Sequence, residues 1–376
     1  MSTDLINLFP LDSAIAYLNH ASYGVPTIES LTLAETIRTK LEHDTALSLG
    51  HGLVESLQRI ADVIQQYLAL PNGQTAAVPN ATEANNALAS SLHLPGGGSV
   101  ALFDSEYSSV IRCWQTCADS QNVNVTVLPM MLPAKREDIL ETIAALDSSV
   151  RVLVCSAISS TAAIAMPLPE ISTLCQEKEV RLIVDAAHML GHMDTLLVGA
   201  APDAVFGSLH KWLPIPRSSG FLWVRDELAG KIKPATVSLT WDALTLVERF
   251  SWWGTWDPAS CLTVPYGFDA IEVWKRSGRI AAAEDLASSL SDELVSIGLV
   301  PTTEPSLTPS RLRAFLVPGI TSDVLKTGVY KAGIRAWIGN SPTGACILRI
   351  STNVYNDEAD TKRLIAAVAR VAKEEN

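Results

Sequence analysis

The sequence predicts an α/β protein in which helices cover both faces of a mainly parallel β-sheet, followed by a smaller α/β domain. Its strand-like runs are continuous in Val, Ile and Leu, as in VRVLVCSA (150–157) and VRLIVDAA (180–187). Such runs are typical of strands buried on both faces. They alternate with segments of helical periodicity, which is the pattern of βαβ units. A chain of 376 residues with 48% hydrophobic residues can bury the large core that this fold requires.

The predicted elements of the sheet region follow one another from residue 53 onward. Helical periodicity predicts helices at 53–70, 82–94, 108–119, 135–146 and 169–179. Apolar runs predict strands at 99–104, 123–129, 150–157, 180–187, 204–210 and 220–224. Proline and glycine residues follow the first two helices and mark their ends.

A different pattern begins where the sheet region ends, near residue 255. A long helix at about 265–297 is followed by a mixed segment that closes with a strand at 344–352 and a helix at 358–374. We therefore expect an N-terminal segment (1–20) that lines the active site, a large domain (21–255) and a small C-terminal domain (256–376).

Composition and charge narrow the class of partner. The net charge of −12 disfavours nucleic acids and anionic membranes as partners. The first residues lack the features of a signal peptide, and no apolar run reaches the roughly 18 residues of a membrane helix. Six scattered cysteines without a CxxC pair indicate buried thiols rather than a disulfide framework. We expect a cytoplasmic protein with a small-molecule substrate.

Polar residues stand where the predicted strands end. These positions matter because ligands of open α/β sheets bind beyond the carboxyl ends of the strands. The residues at these ends are Asp104, Ser156 to Ser160, Asp185, His188, His210 and Lys211. The sequence therefore predicts a ligand site at this edge of the sheet.

Three charged residues in apolar surroundings suggest the chemistry of this site. Taken alone, Asp185 fits a helix cap, Lys211 an edge strand or interface, and Arg349 a structural ion pair. Together they fit a pyridoxal 5'-phosphate site, with a lysine for the aldehyde, a carboxylate for the pyridine nitrogen and an arginine for a substrate carboxylate. The segment PNATEANNAL leads directly into a helix, whose first N–H groups suit a phosphate.

Seven motifs in one order give the chain a family resemblance. It resembles the class V aminotransferases of PLP fold type I, and within them the isopenicillin N epimerase-like and cysteine C–S lyase-like branch. The motifs span nearly the whole chain: YLNHASYG (17–24), NATEANN (80–86), DSEY (104–107), VDAAHMLGH (184–192), GSLHKWL (207–213), GTWDPAS (254–260) and LRISTNVYNDEAD (348–360).

The resemblance implies a seven-stranded sheet, a homodimer with shared active sites and a role for each matching residue. Lys211 would be the catalytic lysine that binds the aldehyde and later shuttles the proton. The cofactor would be held by Asp185 at the pyridine nitrogen, His188 near the phenolic oxygen and Tyr107 on the ring. Its phosphate would be bound by Ala81, Thr82, Ser208 and His210, and by Thr255 of the other subunit. Ser159, with Ser160, would lie near the cofactor oxygen. The substrate side would be lined by Arg349, Asn19 and His20.

Two departures from the family's pattern bear on the reaction. Cysteine desulfurases carry a nucleophilic cysteine on a mobile loop, whereas Cys346 lies in a predicted strand three residues before Arg349. A buried thiol there argues against desulfurase chemistry. Trp256 replaces the charged residue of the family's GTRDP-like segment, close to Trp252 and Trp253. These tryptophans fit either an aromatic pocket or interface packing.

Four other features allow more than one interpretation. His188 and His192 have the spacing of a helical zinc pair, but no HExxH and no third ligand accompany them. PGGGS (95–99) lacks the GK[ST] of a phosphate loop, so a helix-to-strand connection is the simpler account. His51 can be a residue of an active-site loop or of an ordinary turn. Arg335 can be a second carboxylate-binding residue or a residue of a surface strand.

The family's chemistry leaves the reaction open. Once an external aldimine and then a quinonoid have formed, C–S elimination, epimerisation, transamination or decarboxylation can follow. We expect an enzyme that acts on an amino acid. The leading hypothesis is a cysteine S-conjugate as substrate and C–S cleavage, or a related decarboxylation or deamination, as the reaction. Such a reaction fits the biosynthesis of sulfur-containing natural products. An amino-acid epimerase or an aminotransferase is the alternative. A protein that kept the fold and lost the chemistry, or that binds a metal, is the alternative outside enzymes.

Overall fold

A seven-stranded sheet forms the centre of the computed structural model, which describes residues 5–94 and 98–375. The beginning of the N-terminal segment and most of PGGGS therefore lie outside the described residues. The strands of the described residues are β1 Ala16–Tyr17, β2 Gly73–Val78, β3 Ser99–Phe103, β4 Asn124–Leu128, β5 Val150–Ser156, β6 Arg181–Asp185, β7 Ala204–Ser208, β8 Gly220–Arg225, β9 Val300–Pro301, β10 Leu312–Leu316, β11 Ile334–Arg335, β12 Trp337–Asn340 and β13 Cys346–Ser351.

The strand order of the central sheet is β2-β8-β7-β6-β5-β3-β4. Strand β8 runs antiparallel to both of its neighbours, and all other pairs are parallel. The predicted mainly parallel sheet is therefore confirmed. The register pairs Ser156 with Asp185 and Asp185 with Phe206, so the strands β5, β6 and β7 end at one edge.

Helices cover the sheet on both faces. Those of the described residues are α1 His20–Tyr23, α2 Ile28–Glu42, α3 Thr45–Ser48, α4 His51–Leu68, α5 Ala81–Ser91, α6 Ser108–Gln121, α7 Arg136–Ala144, α8 Leu168–Glu177, α9 Asp226–Ala229, α10 Leu246–Arg249, α11 Val264–Arg276, α12 Arg279–Ser296, α13 Ser322–Lys331 and α14 Glu358–Glu375. Alternate strand residues enter different cores: Val184 packs in the cluster of α4, α7 and α8, and Ile183 in that of α5 and α6. Both faces are buried, which explains the unbroken apolar runs.

Three elements differ from the sequence-based expectation. The helix expected at 265–297 is two helices, α11 and α12, because Gly278 between them has a φ of +73° that an α-helix does not accommodate. Strand β7 ends at Ser208, and a 3-10 turn, Leu209–Lys211, follows it. Strand β2, GQTAAV, was not expected because its glycine and alanines have low strand propensity.

The C-terminal part of the chain forms a second, smaller sheet. Strands β12, β13, β10 and β9 are antiparallel neighbours in that order. The N-terminal strand β1 pairs with β11, which ties the start of the chain to this part. Arg349 lies in the central strand β13 and is buried. In the described part of the chain, no helix is both long enough and apolar enough to cross a membrane.

Candidate active site

A cavity of about 360 Å³ lies at the carboxyl ends of β5, β6 and β7, and we call it the site cavity. Helix α1, the starts of α5 and α6, and strands β12 and β13 also contribute to its wall. The structure brings nine of the sequence-predicted residues to this wall: Ala81, Thr82, Tyr107, Asp185, His188, Ser208, His210, Lys211 and Arg349. Residues that are far apart in sequence thus surround one space, as the topology of the sheet predicts.

Lys211 ends the 3-10 turn after β7, and its amine faces His188 across 3.5 Å between Nζ and Nε2. Burial lowers the pKa of Lys211 to about 8; the carboxylate of Asp185 opposes this shift and Arg349 adds to it. An amine with a pKa near neutrality is a stronger nucleophile at pH 7 than an ordinary lysine, because more of it is unprotonated.

His188 is a neutral hydrogen-bond donor toward the cavity. The indole Nε1 of Trp212, which can only donate, lies 3.3 Å from Nδ1 of His188. Nδ1 is therefore the acceptor and Nε2 carries the proton. Burial holds the pKa of His188 well below its usual range, and the neighbouring Lys211 lowers it further. Sequence reasoning did not identify Trp212 as the residue that fixes this tautomer.

Asp185 is a buried carboxylate at the end of β6. Its Oδ1 accepts the N–H of Ala187 at 2.9 Å. Burial raises the pKa of Asp185, whereas Lys211 and this hydrogen bond lower it. The geometry gives the cavity one acidic group opposite its amine.

Glu106 is a second buried carboxyl group, which the sequence reasoning did not single out. Its Oε1 accepts the N–H of Ser156 at 2.8 Å, and its Oε2 contacts the Ser156 hydroxyl. Burial raises the pKa of Glu106 to about 8; the bonds from Ser156 oppose the shift, and Asp185 adds to it. Glu106 is therefore largely protonated at neutral pH. It bonds to Ser156, which is the strand neighbour of Asp185.

The start of α5 supplies backbone donors at the cavity wall. Asn80 caps this helix by accepting the N–H of Glu83 at 3.0 Å. The N–H of Ala81 points to Oγ of Ser208 at 3.2 Å, which joins the helix start to the end of β7. His210 lies beside them and binds the backbone of Ser219. The first turn of a helix with adjacent hydroxyls suits an anion.

Arg349 reaches the opposite side of the cavity. Its Nη2 donates to Oγ of Ser22 at 2.8 Å, and its Nη1 contacts the carbonyl oxygen of Ser160. Its guanidinium carbon lies 5.1 Å from the ring centroid of Trp337. No salt bridge among the described residues includes Arg349. The arginine is thus held in place by neutral partners and keeps its charge for a ligand.

Asn19 and His20 do not line the site cavity, although the sequence reasoning expected them on the substrate side. The adjacent residues of α1, Ala21, Ser22 and Tyr23, lie there instead. His20 is fully buried, with Nδ1 at 3.0 Å from the hydroxyl of Tyr355 and Nε2 at 2.7 Å from the amide of Asn353. Burial lowers the pKa of His20 to about 3, which removes it as an accessible acid or base.

Ser159 and Thr255 also lie away from this wall. Oγ of Ser159 accepts the N–H of Ile164 within its own loop, and Ser160 is the serine that lines the cavity. Thr255 is exposed in the loop 251–260. Its expected contact is with the cavity of another subunit, and this stays a prediction.

The alternative site assignments find little support in the geometry. Both ring nitrogens of His192 are engaged, Nδ1 with the carbonyl of His188 and Nε2 with the N–H of Arg311. The described residues hold no group of three or more potential metal ligands.

Arg335 lies over the ring of Tyr330, outside the cavity. His51 is exposed and begins α4. Trp253 and Trp256 contact each other edge to face.

The donor set of the site cavity fits pyridoxal phosphate. A lysine amine of lowered pKa, a buried carboxylate, a neutral histidine donor and the start of a helix meet in one space. These are the groups that an aldehyde, a pyridine nitrogen, a phenolic oxygen and a phosphate require.

Comparisons with known proteins agree with this donor set. The family model Aminotransferase class-V matches residues 39–364. The isopenicillin N epimerase of Amycolatopsis lactamdurans is 27% identical over 96% of each chain. The probable L-cysteine desulfhydrase, chloroplastic, of Arabidopsis thaliana is 26% identical over 72% of this chain and 63% of its own length. A solved C-DES mutant with glycine covalently linked to its PLP cofactor shares the fold, with a TM-score of 0.80 and 17% identity over 97% of this chain and 98% of that one.

Proposed function

Because the chain belongs to the class-V aminotransferase family and is a pyridoxal phosphate enzyme, we propose that it cleaves the C–S bond of cysteine S-conjugates. The balanced reaction converts an S-substituted cysteine and water into a thiol, pyruvate and ammonium. The observation that carries the proposal is the arrangement of Lys211 and Arg349 on one cavity, in whose wall no described residue contributes a thiol. The cysteine desulfhydrase relative supports it.

The chain's own residues supply the binding groups. Lys211 would hold the aldehyde carbon, Asp185 the pyridine nitrogen, His188 Nε2 the phenolic oxygen, and the start of α5 with Ser208 the phosphate. Pyridoxal phosphate, when bound, supplies the electron sink that makes the Cα–H bond of an amino acid acidic.

Arg349 and Lys211 give the substrate its orientation and its base. Arg349 would take the α-carboxylate in a bidentate fork, with its guanidinium held by Ser22 and Ser160. This places Cα near Nζ of Lys211, whose lowered pKa suits it to accept the Cα proton. The same ammonium can then give a proton to the departing sulfur.

Cys346 supports elimination over desulfurase chemistry. Its side chain is buried in the core of the small sheet, and burial raises the pKa of its thiol to about 11. A protonated, buried thiol is a poor nucleophile.

A second candidate is epimerisation at Cα. The isopenicillin N epimerase relative, which matches along 96% of the chain, favours it. Epimerisation needs a proton donor on each face of Cα. Tyr107 is the candidate for the second group, because it lines the site cavity and its ring centroid lies 5.9 Å from Nζ of Lys211.

A homodimer with shared sites is the proposed assembly. The segment 235–245 exposes Val237, Leu239 and Leu244, with exposed fractions of 77%, 84% and 92%. Burying such side chains against a second subunit is favourable. Thr255 follows shortly afterwards and would reach the partner's phosphate site. We also propose a large domain of residues 21–255, a small domain of residues 256–376 and a cytoplasmic location.

The test uses purified protein loaded with pyridoxal phosphate and a panel of S-alkyl cysteines. We expect pyruvate and thiol in equal amounts and a near-visible absorption band. In Lys211→Ala we expect the loss of the two products and of the band. Exchange of the Cα hydrogen in D2O without pyruvate would replace the lyase by the epimerase. A protein that stays colourless with added cofactor would contradict both assignments.

A further inference from the structure

A second cavity of about 380 Å³ adjoins the site cavity, and we call it the side-chain cavity. Tyr107, Ser160 and Trp337 line both cavities. Ser160 and Trp337 are also the residues that hold Arg349. The side-chain cavity therefore begins beside the arginine proposed to bind the α-carboxylate. An amino acid bound there has its side chain next to this second space.

The walls of the side-chain cavity combine apolar side chains with hydroxyl and amide groups, the latter from Ser105, Ser108, Thr161, Asn340 and Ser341. Ile111, Met130, Leu132 and Ile347 contribute hydrophobic surface. Pockets of this kind take up methylene groups and thioethers because burial of apolar surface is favourable.

This wall carries two carboxyl groups, of which Glu106 is largely protonated at neutral pH. Asp104 and Glu106 line the side-chain cavity, and no described lysine, arginine or histidine does. Glu106 is bonded to Ser156. Asp104 uses Oδ1 to accept the N–H of Met130 at 3.0 Å, and no salt bridge among the described residues includes it. Burial raises the pKa of this half-buried carboxyl group, with only that hydrogen bond in opposition.

A carboxylate in such a place is satisfied by a positive charge. A nearby cation offsets the cost of burying the carboxylate, whereas a second anion would add repulsion. The structure supplies no such cation from the described residues, so the ligand is its natural source.

We propose, resting on the proposed function, that the side-chain cavity binds the far end of the substrate's side chain and that Asp104 selects a positively charged group there. The substrate class is then an amino acid with a thioether chain that ends in an ammonium, guanidinium or quaternary ammonium group. Asp104 is a specificity-determining residue in this assignment and takes no part in bond cleavage.

The test measures binding to the loaded protein with probes that contain no C–S bond. L-lysine and L-2-aminoheptanoate have side chains of equal length, and at pH 7 only lysine carries a terminal positive charge. L-2-aminoadipate ends in a carboxylate. Dissociation constants are read from the change in the visible spectrum, for these probes and for homologues lengthened by two methylene groups. The measured quantity is the preference, the ratio of the constants for the neutral and the cationic probe of equal length.

We expect a preference of about tenfold or more in the unaltered protein, with L-2-aminoadipate the weakest ligand. In Asp104→Asn the preference falls to about one. The asparagine carbonyl can still accept the N–H of Met130, and an unchanged melting temperature shows that the fold is kept. Asp147→Asn is the control: it removes one charge from an exposed aspartate that accepts the N–H of Ser149, and the preference stays.

The outcomes separate a failure of the assignment of Asp104 from a failure of the proposed function. If all probes change the spectrum with similar constants, or Asp104→Asn keeps the preference, the assignment of Asp104 is overturned while the proposed function stands. If no amino acid changes the spectrum of the loaded protein, the proposed function fails first.

Discussion

The buried acid Glu106 shows how a single residue near the site responds to pH. It is 4% exposed, bonded only through Ser156 in the contacts above, and close enough to Asp185 for the two charges to interact. If both carboxyl groups were ionised, two negative charges would share a buried region. The raised pKa of Glu106 avoids this at neutral pH, because the Glu106 carboxyl group then carries no charge.

The substitution Glu106→Gln tests this interpretation through stability. In the unfolded chain the glutamate releases its proton near its ordinary pKa of 4.5, whereas in the folded protein it does so near 8. The folded state binds more protons between these values, so the contribution of Glu106 to stability is present at low pH and is lost as pH rises through 8. Glutamine does not ionise. Its Oε1 can accept the N–H of Ser156, and its Nε2 can donate to the Ser156 hydroxyl.

We therefore expect the free energy of unfolding of Glu106→Gln, relative to that of the unaltered protein, to rise between pH 5 and pH 8 by on the order of 3 kcal/mol. The urea midpoint should rise with it. The measurement is urea unfolding by circular dichroism over this pH range. A difference that stays constant with pH would show that Glu106 is ionised in the folded protein.

At the scale of elements, the N-terminal segment holds the lysine turn in place. Gly24 follows α1 with a φ of +67°, and a Cβ at this position would lie 1.8 Å from the carbonyl oxygen of His210. The backbone of α1 therefore packs directly on the turn that ends in Lys211. The motif YLNHASYG acts through this contact and through Ser22, more than through Asn19 or His20.

The substitution Gly24→Ala should separate these two elements. We expect a loss of stability of about 2 kcal/mol or more, because the added methyl group strains the backbone and displaces the turn. Binding of pyridoxal phosphate should weaken as Lys211 moves. Thermal unfolding and cofactor titration measure the two effects.

Gly230→Ala is the matched control for this prediction. Gly230 has a φ of −66°, and a Cβ there meets no atom within 4 Å. Equal effects of the two substitutions would contradict the role given to Gly24.

At the scale of the whole molecule, the proposed dimer determines whether each site is complete. The structure places Thr255 outside its own cavity and exposes the apolar segment 235–245 nearby. Both features are accounted for if two subunits exchange these loops across a twofold axis. Each cavity would then contain residues of two chains.

Coexpression of two inactive variants tests the exchange. Lys211→Ala lacks the amine, and Thr255→Glu brings a negative charge to the proposed phosphate site of the partner. In a mixed dimer, one of the two cavities receives Lys211 and Thr255 intact, so we expect about half of normal activity from isolated mixed dimers and about a quarter from the unfractionated random mixture. Doubly tagged dimers are isolated and assayed for pyruvate. Absence of recovery in dimers that form normally would show that the sites are not shared.

Much of the fold and part of the site could be predicted from local patterns. The strands β5 and β6 are recognisable because burial on both faces requires continuous apolar runs. Lys211 and Asp185 could be assigned to one edge because parallel strands end together. Ser159 shows the limit of this reasoning. Neighbouring residues of a loop can point in different directions, and only the packing decided that Ser160, and not Ser159, faces the cavity.

The sequence by itself determined the order of the elements, the edge of the sheet at which a ligand binds and the charged groups that meet there. Only the tertiary structure decided which side of the α1 turn faces the cavity, that Glu106 bonds to the strand neighbour of Asp185, and that a second cavity, lined by Asp104, shares wall residues with the site cavity. The physical reason is that apolar periodicity follows from burial within one element. The direction of a side chain in a turn, and its pKa, depend on residues that are distant in sequence.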